Sequence, residues 1–147
     1  MNPFEERATL PRDLIHASGL LPRVTRIEVA RGDELQPGNS TRGIVRDTAF
    51  DLSGAAFARS RIGASVSSGW HHHGDRDLFG YLVSGLLRFD YGSKGALAVE
   101  IRPGDFFHIP PRLIHRDVNP RTDAEAVVVN LLMGEGDAVV NVSGPSD

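Results

Sequence analysis

The sequence has no cysteine among its 147 residues, and that absence excludes several kinds of site. Without a thiol, the chain forms no disulfide, no zinc–thiolate centre and no cysteine nucleophile. The formal net charge is -3, so the chain lacks the basic field that attracts nucleic acid. No apolar run approaches the roughly 20 residues that span a bilayer. We therefore expect neither a nucleic-acid partner nor a membrane partner.

The first ten residues, "MNPFEERATL", carry acidic side chains and lack the apolar core of a signal peptide. We therefore predict a cytoplasmic location. The length suits one compact domain, which we predict over residues 1–147 with a core at about 43–142 and an N-terminal extension at 1–42. Within the extension, a capping threonine, an early proline and a closing glycine predict a short helix at 9–19.

Short apolar runs bounded by Gly, Pro, Asn and Asp follow one another along the rest of the chain, and each predicts a strand. These predicted strands are 23–31, 43–50, 55–62, 78–84, 86–91, 96–101, 105–110, 115–118, 126–133 and 138–142. Turn signals such as Ser84-Gly85 and Pro103-Gly104 separate them, and no convincing helix intervenes. The pattern predicts an all-β fold, either an antiparallel sandwich or a barrel.

Five of the six histidines fall between residues 71 and 115. On a strand, His71 and His73 share one face while His72 points away. A third ligand would come from a distant strand, and His115 is the natural candidate because it follows the turn "IPPRLI". Three imidazoles with open positions suit Fe, Mn, Ni, Zn or Cu. The alternative is an exposed polar loop that binds no metal.

Two segments resemble the paired motifs of the cupin family, the small RmlC-like jelly-roll barrels. The first, "GWHHHGDRDLFGYLVSG", contains the His-x-His pair and a closing glycine at Gly85. The second, "GDFFHIPPRLIHRDVN", has the family's residue types at its expected spacing, except that Arg112 stands at the middle glycine. The resemblance implies an antiparallel jelly-roll β-barrel with a divalent metal ion as cofactor. It also implies that the metal ligands are His71, His73 and His115.

One position departs from the family pattern, because Leu78 stands where the family usually has a glutamate ligand. Leucine cannot bind a metal, so two arrangements are open. Either three histidines hold the ion with more open positions, or Asp77 turns inward through a local bulge and becomes a ligand. Strict alternation favours the first arrangement, since it sends Asp77 outward when Leu78 faces inward.

Three further features are candidates for a role in the pocket. His108 would either carry protons there as a catalytic residue or lie satisfied between the sheets. Gly80 would leave space for a ligand opposite the metal. Arg59 and Arg61 share one strand face and would either clamp a carboxylate or form a solvated surface.

The resemblance implies a metal-dependent enzyme that acts on a small organic molecule inside the barrel. A dioxygenase-like reaction is the leading hypothesis, because three-histidine iron sites suit oxygen chemistry. The alternatives are a non-catalytic module that binds a metal or a small molecule, and an isomerase, epimerase or lyase. The family and the protection of sheet edges further predict a homodimer. Since imidazole must be neutral to ligate, metal affinity is expected to fall below about pH 6.

Overall fold

The computed structural model describes residues 25–146, in which eleven strands form two antiparallel sheets. The predicted all-β fold is confirmed. The strands are β1 (Gln36–Pro37), β2 (Ile44–Leu52), β3 (Ala55–Ile62), β4 (His71–His72), β5 (Asp77–Ser84), β6 (Leu87–Tyr91), β7 (Leu97–Ile101), β8 (Phe106–Ile109), β9 (His115–Val118), β10 (Ala126–Met133) and β11 (Val140–Asn141). In this described part, no helix has the length and apolar character needed to cross a bilayer.

From β3 onward the chain crosses repeatedly between the two sheets, as in a jelly roll. The first sheet has the order β1-β2-β3-β10-β5-β8, and the second has the order β11-β4-β9-β6-β7. Strands β3, β5, β8 and β10 thus alternate with strands of the second sheet along the chain. The crossing brings segments that are far apart in sequence onto opposite walls of one barrel.

Strict alternation along the strands builds the barrel interior. On β10, the side chains of Ala126, Val128, Asn130 and Leu132 are buried, and those between them are more exposed. Because successive side chains on a strand point to opposite faces, one face of β10 lies on the core. The same alternation on β5 buries Leu78 and Leu82. In the described residues, a hydrophobic cluster joins the apolar members of these two sets with apolar side chains from both sheets.

Three predicted strands, 55–62, 115–118 and 126–133, match the observed bounds, and the one predicted at 23–31 is wrong where the structure describes it. Residues 25–31 belong to no strand, and Ile27 and Val29 are 92% and 62% exposed. An apolar run becomes a strand only where a partner strand covers it. Residues 23–24 and the predicted helix at 9–19 lie outside the described residues. The boundary between extension and core at residue 42 stays a prediction.

Two positions of the family motifs, Gly85 and Arg112, have a positive φ. Gly85 has a φ of 85°, and a Cβ there would collide with the backbone oxygen of Glu125. Arg112, at the position where the family pattern has glycine, has a φ of 63°. That left-handed conformation costs a non-glycine residue energy. The Arg112 Nε atom donates to Asp75 Oδ1 at 2.7 Å, which holds the side chain over the turn.

The space beside Gly80 is filled by a neighbouring side chain, contrary to the expectation that it would admit a ligand. Gly80 pairs with Phe107 on β8, and a Cβ on Gly80 would collide with the Phe107 ring. Because Gly80 has no side chain, the Phe107 ring fits beside it in the core. The ring also packs against Phe89, with 5.0 Å between centroids.

Candidate metal centre

The second sheet brings the three predicted imidazoles together. His71 on β4 is the direct antiparallel partner of His115 on β9, and His73 follows the end of β4. All three residues are buried, with exposures of 1 to 3%. Their ligand atoms lie within 4.8 Å of one another. The pairing of two short strands thus brings together histidines that are more than 40 residues apart in the sequence.

A backbone carbonyl fixes the tautomer of each imidazole. The Nδ1 atoms of His71, His73 and His115 lie 3.0, 2.9 and 2.8 Å from the carbonyl oxygens of Gly69, Ala138 and Leu113. Because a carbonyl oxygen only accepts hydrogen bonds, each Nδ1 carries the proton and donates it. Each Nε2 then carries a lone pair. A hydrogen bond of this kind to the second ring nitrogen is typical of metal-binding histidines.

The environment also keeps these rings neutral. Burial and, to a smaller extent, the charge of a protonated His115 lower the pKa of His71 to about 3. Burial lowers the pKa of His73 to about 3 as well, with the same help from His115. The pKa of His115 is lowered, again chiefly by burial. Near neutral pH, all three rings are therefore unprotonated at Nε2, which is the state that binds a metal.

The donor set fits a divalent transition metal. Three neutral nitrogen lone pairs meet in a buried place and repel one another unless a cation lies between them. Imidazole nitrogen suits Fe, Mn, Ni, Zn and Cu, whereas Ca and Mg prefer oxygen ligands. The three histidines of the described region therefore have the chemistry, the protonation state and the proximity that such an ion requires.

The imidazoles line a cavity between the two sheets. Its volume is about 50 Å³, whereas one water molecule needs roughly 10–15 Å³. Apolar walls come from Leu78, Phe89, Phe107, Val128 and neighbouring side chains. The first sheet adds a neutral polar pair, in which the Asn130 side-chain amide donates to Ser60 Oγ at 2.9 Å.

Two charged residues of the cavity were missed by the sequence reasoning, although alternation could have found both. Arg46 shares the inward face of β2 with Ile44, and its Nη1 donates to Thr41 Oγ1 at 2.7 Å. Asp117 comes two residues after His115 on β9 and therefore shares its face. Both side chains line the cavity.

The structure places His108 and Asp77 outside the cavity, which corrects the pocket role considered for His108 and the less favoured of the two arrangements considered for Asp77. Their side chains are 45% and 42% exposed, and His108 Nε2 lies 2.7 Å from Asp77 Oδ1. On β5, Leu78 is buried and Asp77 therefore points outward. On β8, Phe107 and Ile109 face the core, so His108 takes the outer face. The His108 role in the pocket and the bulge that would turn Asp77 inward are both inconsistent with this alternation.

The other polar residues singled out from the sequence contact the protein itself. Arg61 and Arg59 lie 3.1 and 3.5 Å from the Asp47 carboxylate, so the carboxylate they approach belongs to their own chain. His72 accepts a hydrogen bond from the Gly74 backbone N–H at its Nδ1, 2.9 Å away. Neither feature takes part in the cavity.

One comparison with known proteins shows a family, and another shows a shared fold. A family model described as a cupin domain matches residues 59–132. No curated protein matches the sequence.

Solved structures share the architecture at low sequence identity. A double-stranded β-helix protein from Klebsiella pneumoniae aligns with a TM-score of 0.63 and 14% identity over 80% of this chain and 96% of its own. KdgF from a Halomonas species gives 0.60 and 20% over 74% and 96%. The polyketide cyclase RemF from Streptomyces resistomycificus gives 0.63 and 14% over 80% and 86%. At these identities the likeness shows the fold alone.

Proposed function

The chain belongs to the cupin family, and on that basis we propose that it is a metal-dependent enzyme acting on a small organic molecule in the barrel. His71, His73 and His115 would hold the ion through their Nε2 atoms. The observation that carries the proposal is the convergence of three buried imidazoles whose Nδ1 protons are all bound to carbonyl oxygens. A divalent ion there would supply Lewis acidity or, if it is iron, redox chemistry with dioxygen.

The substrate class follows from the other cavity residues. Arg46 offers a fixed positive charge on the wall that belongs to the first sheet, held by Thr41 and by the Asn39 carbonyl oxygen at 3.2 Å. A guanidinium group binds carboxylate or enolate oxygens strongly in a site of low dielectric. The apolar walls would exclude water around the remaining atoms. We therefore expect a small organic anion, with its charged oxygen directed towards Arg46.

A dioxygenase-like reaction is the version to test first. Protein purified without an affinity tag should contain close to one equivalent of a transition metal by mass spectrometry. The iron-loaded protein should then consume oxygen in the presence of a catechol or a diketone. His73→Ala, which removes one ligand, should lose both the metal and the oxygen consumption. Untagged protein that binds none of the five metals, even when they are supplied, would contradict the proposal.

The second candidate is a module that binds metal or ligand without turnover. It is favoured by the position of His108, because the residue expected to move protons lies on the outer face of the barrel. A metal-loaded protein that turns over none of a panel of dioxygenase, isomerase, epimerase and lyase substrates would favour this candidate. Binding of small organic acids that raises the melting temperature in the wild type but not in Arg46→Gln would locate the ligand.

We also propose that the protein is a homodimer located in the cytoplasm. The outer face of the first sheet exposes Phe57, Phe79 and Phe106, at 44%, 47% and 81%. Apolar area of this kind is typical of a surface that another molecule covers. Light scattering should give twice the chain mass for the wild type and a lower mass for Phe79→Asp. Cell fractionation tests the location.

A further inference from the structure

A carboxylate lies beside the three imidazoles on a different strand from the one that the family pattern indicates. Leu78 on β5 stands where the family pattern has a glutamate. Its side chain is 4% exposed and lines the cavity. On β9, Asp117 follows His115 by two residues, so both point to the same face. Asp117 is only 8% exposed. The second sheet therefore carries three nitrogen donors and one carboxylate on the same wall.

The nearest polar atoms of the cluster cannot donate a hydrogen bond to this carboxylate. Its Oδ1 atom lies 3.5 Å from His71 Nε2 and 3.9 Å from His115 Nε2. Both Nε2 atoms carry lone pairs, because the ring protons are on Nδ1. Asp117 Oδ1 is buried and has no hydrogen-bond partner among the residues that the structure describes. A buried polar group left in that condition destabilises the fold, and more strongly when it is charged.

The separations are compatible with two ligands of one ion. Oxygen and nitrogen ligands of a transition metal each lie about 2.0–2.2 Å from it, so two of them are at most about 4.4 Å apart. The distances from Asp117 Oδ1 to the two Nε2 atoms, 3.5 and 3.9 Å, are within that limit. An ion at this place would satisfy at once the unpartnered oxygen and the facing lone pairs.

We propose that Asp117 is a fourth protein ligand of the metal centre, supplied by β9 in place of the carboxylate that the family pattern places on β5. This inference rests on the proposed function, because it requires the three histidines to hold an ion. The competing explanation is that Asp117 only balances the charge of Arg46, whose pKa it raises against the larger lowering by burial. The two explanations predict different behaviour when the charge is removed and the shape is kept.

The test compares Asp117→Asn with the wild type and with Asp77→Asn, the matched control on the neighbouring outer face. Each protein is stripped of metal, titrated with Co(II) in competition with a chelator, and followed through its visible absorption. The melting temperature of each metal-free protein is measured in parallel. Asp117→Glu is a second variant, which keeps the carboxylate if the asparagine variant folds poorly.

We expect Asp117→Asn to bind Co(II) at least about 100-fold more weakly, since even an outer hydrogen-bond partner of a ligand is worth 10–100-fold. Its Co(II) absorption bands should shift, because one oxygen donor is replaced. The metal-free variant should melt no lower than the metal-free wild type, because an unpaired buried charge is gone. Asp77→Asn should match the wild type in affinity and spectrum, and Asp117→Glu should retain a carboxylate-type spectrum.

Unchanged Co(II) affinity and spectrum in Asp117→Asn would overturn the inference while leaving the three-histidine site intact. A lower melting temperature of the metal-free variant together with unchanged Co(II) binding would identify Asp117 as the partner of Arg46. If the wild type binds no Co(II), the proposed function fails, and the inference fails with it.

Discussion

Within residues 25–146, histidine contacts aspartate in two places, and the two contacts differ in kind. On the outer face, His108 Nε2 lies 2.7 Å from Asp77 Oδ1, and both side chains are more than 40% exposed. Inside, His71 and His115 face Asp117 at 3.5 and 3.9 Å, and the rings are nearly inaccessible. The outer contact is an ordinary hydrogen bond. The inner contact is too long for one.

The second nitrogen of each ring explains the difference. His108 Nε2 must donate, because the carboxylate that it contacts accepts hydrogen bonds. In the buried cluster, the carbonyl oxygens of Gly69 and Leu113 accept hydrogen bonds from Nδ1–H of His71 and His115. The Nε2 atoms of both rings therefore direct lone pairs towards Asp117. Identical residue types therefore form a hydrogen-bonded pair on the surface and a cation-binding set in the interior.

The largest expected difference between the two places appears on acidification. The pKa of His71 and of His73 is about 3 in the folded chain against 6.5 unfolded. As pH falls below 6.5, the unfolded chain takes up protons that the folded chain refuses, so stability present above pH 6.5 is lost towards pH 3. Each of these two histidines lowers the free energy of unfolding by about 1.4 kcal/mol per pH unit in that window. The pKa of His115 is shifted in the same direction.

Urea titrations of the metal-free protein between pH 7 and pH 5 measure this loss, which should reach several kcal/mol. His108→Ala should lose stability in parallel with the wild type. A flat stability from pH 7 to pH 5 would contradict the burial of neutral rings. The sequence alone predicts that metal affinity falls below about pH 6. With these pKa values, the rings of the folded protein should stay neutral, and able to bind a metal, well below pH 6.

Removing one ligand should produce the next largest effect. His71→Ala is expected to weaken metal binding at least about 100-fold, or about 3 kcal/mol, because one of three buried nitrogen donors is lost. The neighbouring His72→Ala is the matched control, since His72 points away and accepts from Gly74 N–H. Competition with a chelator measures both. Equal weakening in the two variants would indicate loss of strand β4 and not of a ligand.

The smallest effect is expected at the outer pair. His108→Ala should change the free energy of unfolding by less than about 1 kcal/mol, because an exposed polar contact of this kind contributes little. It should leave metal affinity unchanged, since the ring is outside the cavity. Denaturation and Co(II) titration of the variant check both statements. A large loss of metal affinity would mean that His108 reaches the centre after all.

Much of the site could be predicted because spacing and alternation are local properties. His71 and His73 share a face by period, and Leu78 inward with Asp77 outward follows from the same rule. His108 could not be placed, because "FFHI" offers apolar side chains in both phases and only packing makes Phe107 and Ile109 the inner pair. Asp117 was missed because the carboxylate was sought on β5. Residues 25–31 have the sequence pattern of a strand but pair with no other strand. Pairing depends on residues far away in the sequence, so the local pattern could not predict it.

The hydrogen bond from His73 Nδ1 to the Ala138 carbonyl oxygen has a consequence for synthesis. Strand β4 also pairs with β11, where His71 lies opposite Asn141. The imidazole at position 73 therefore acquires its fixed tautomer only after the ribosome has added 65 further residues. A nascent chain that carries all three histidines still lacks the finished centre, so metal loading in its final geometry follows translation of this segment.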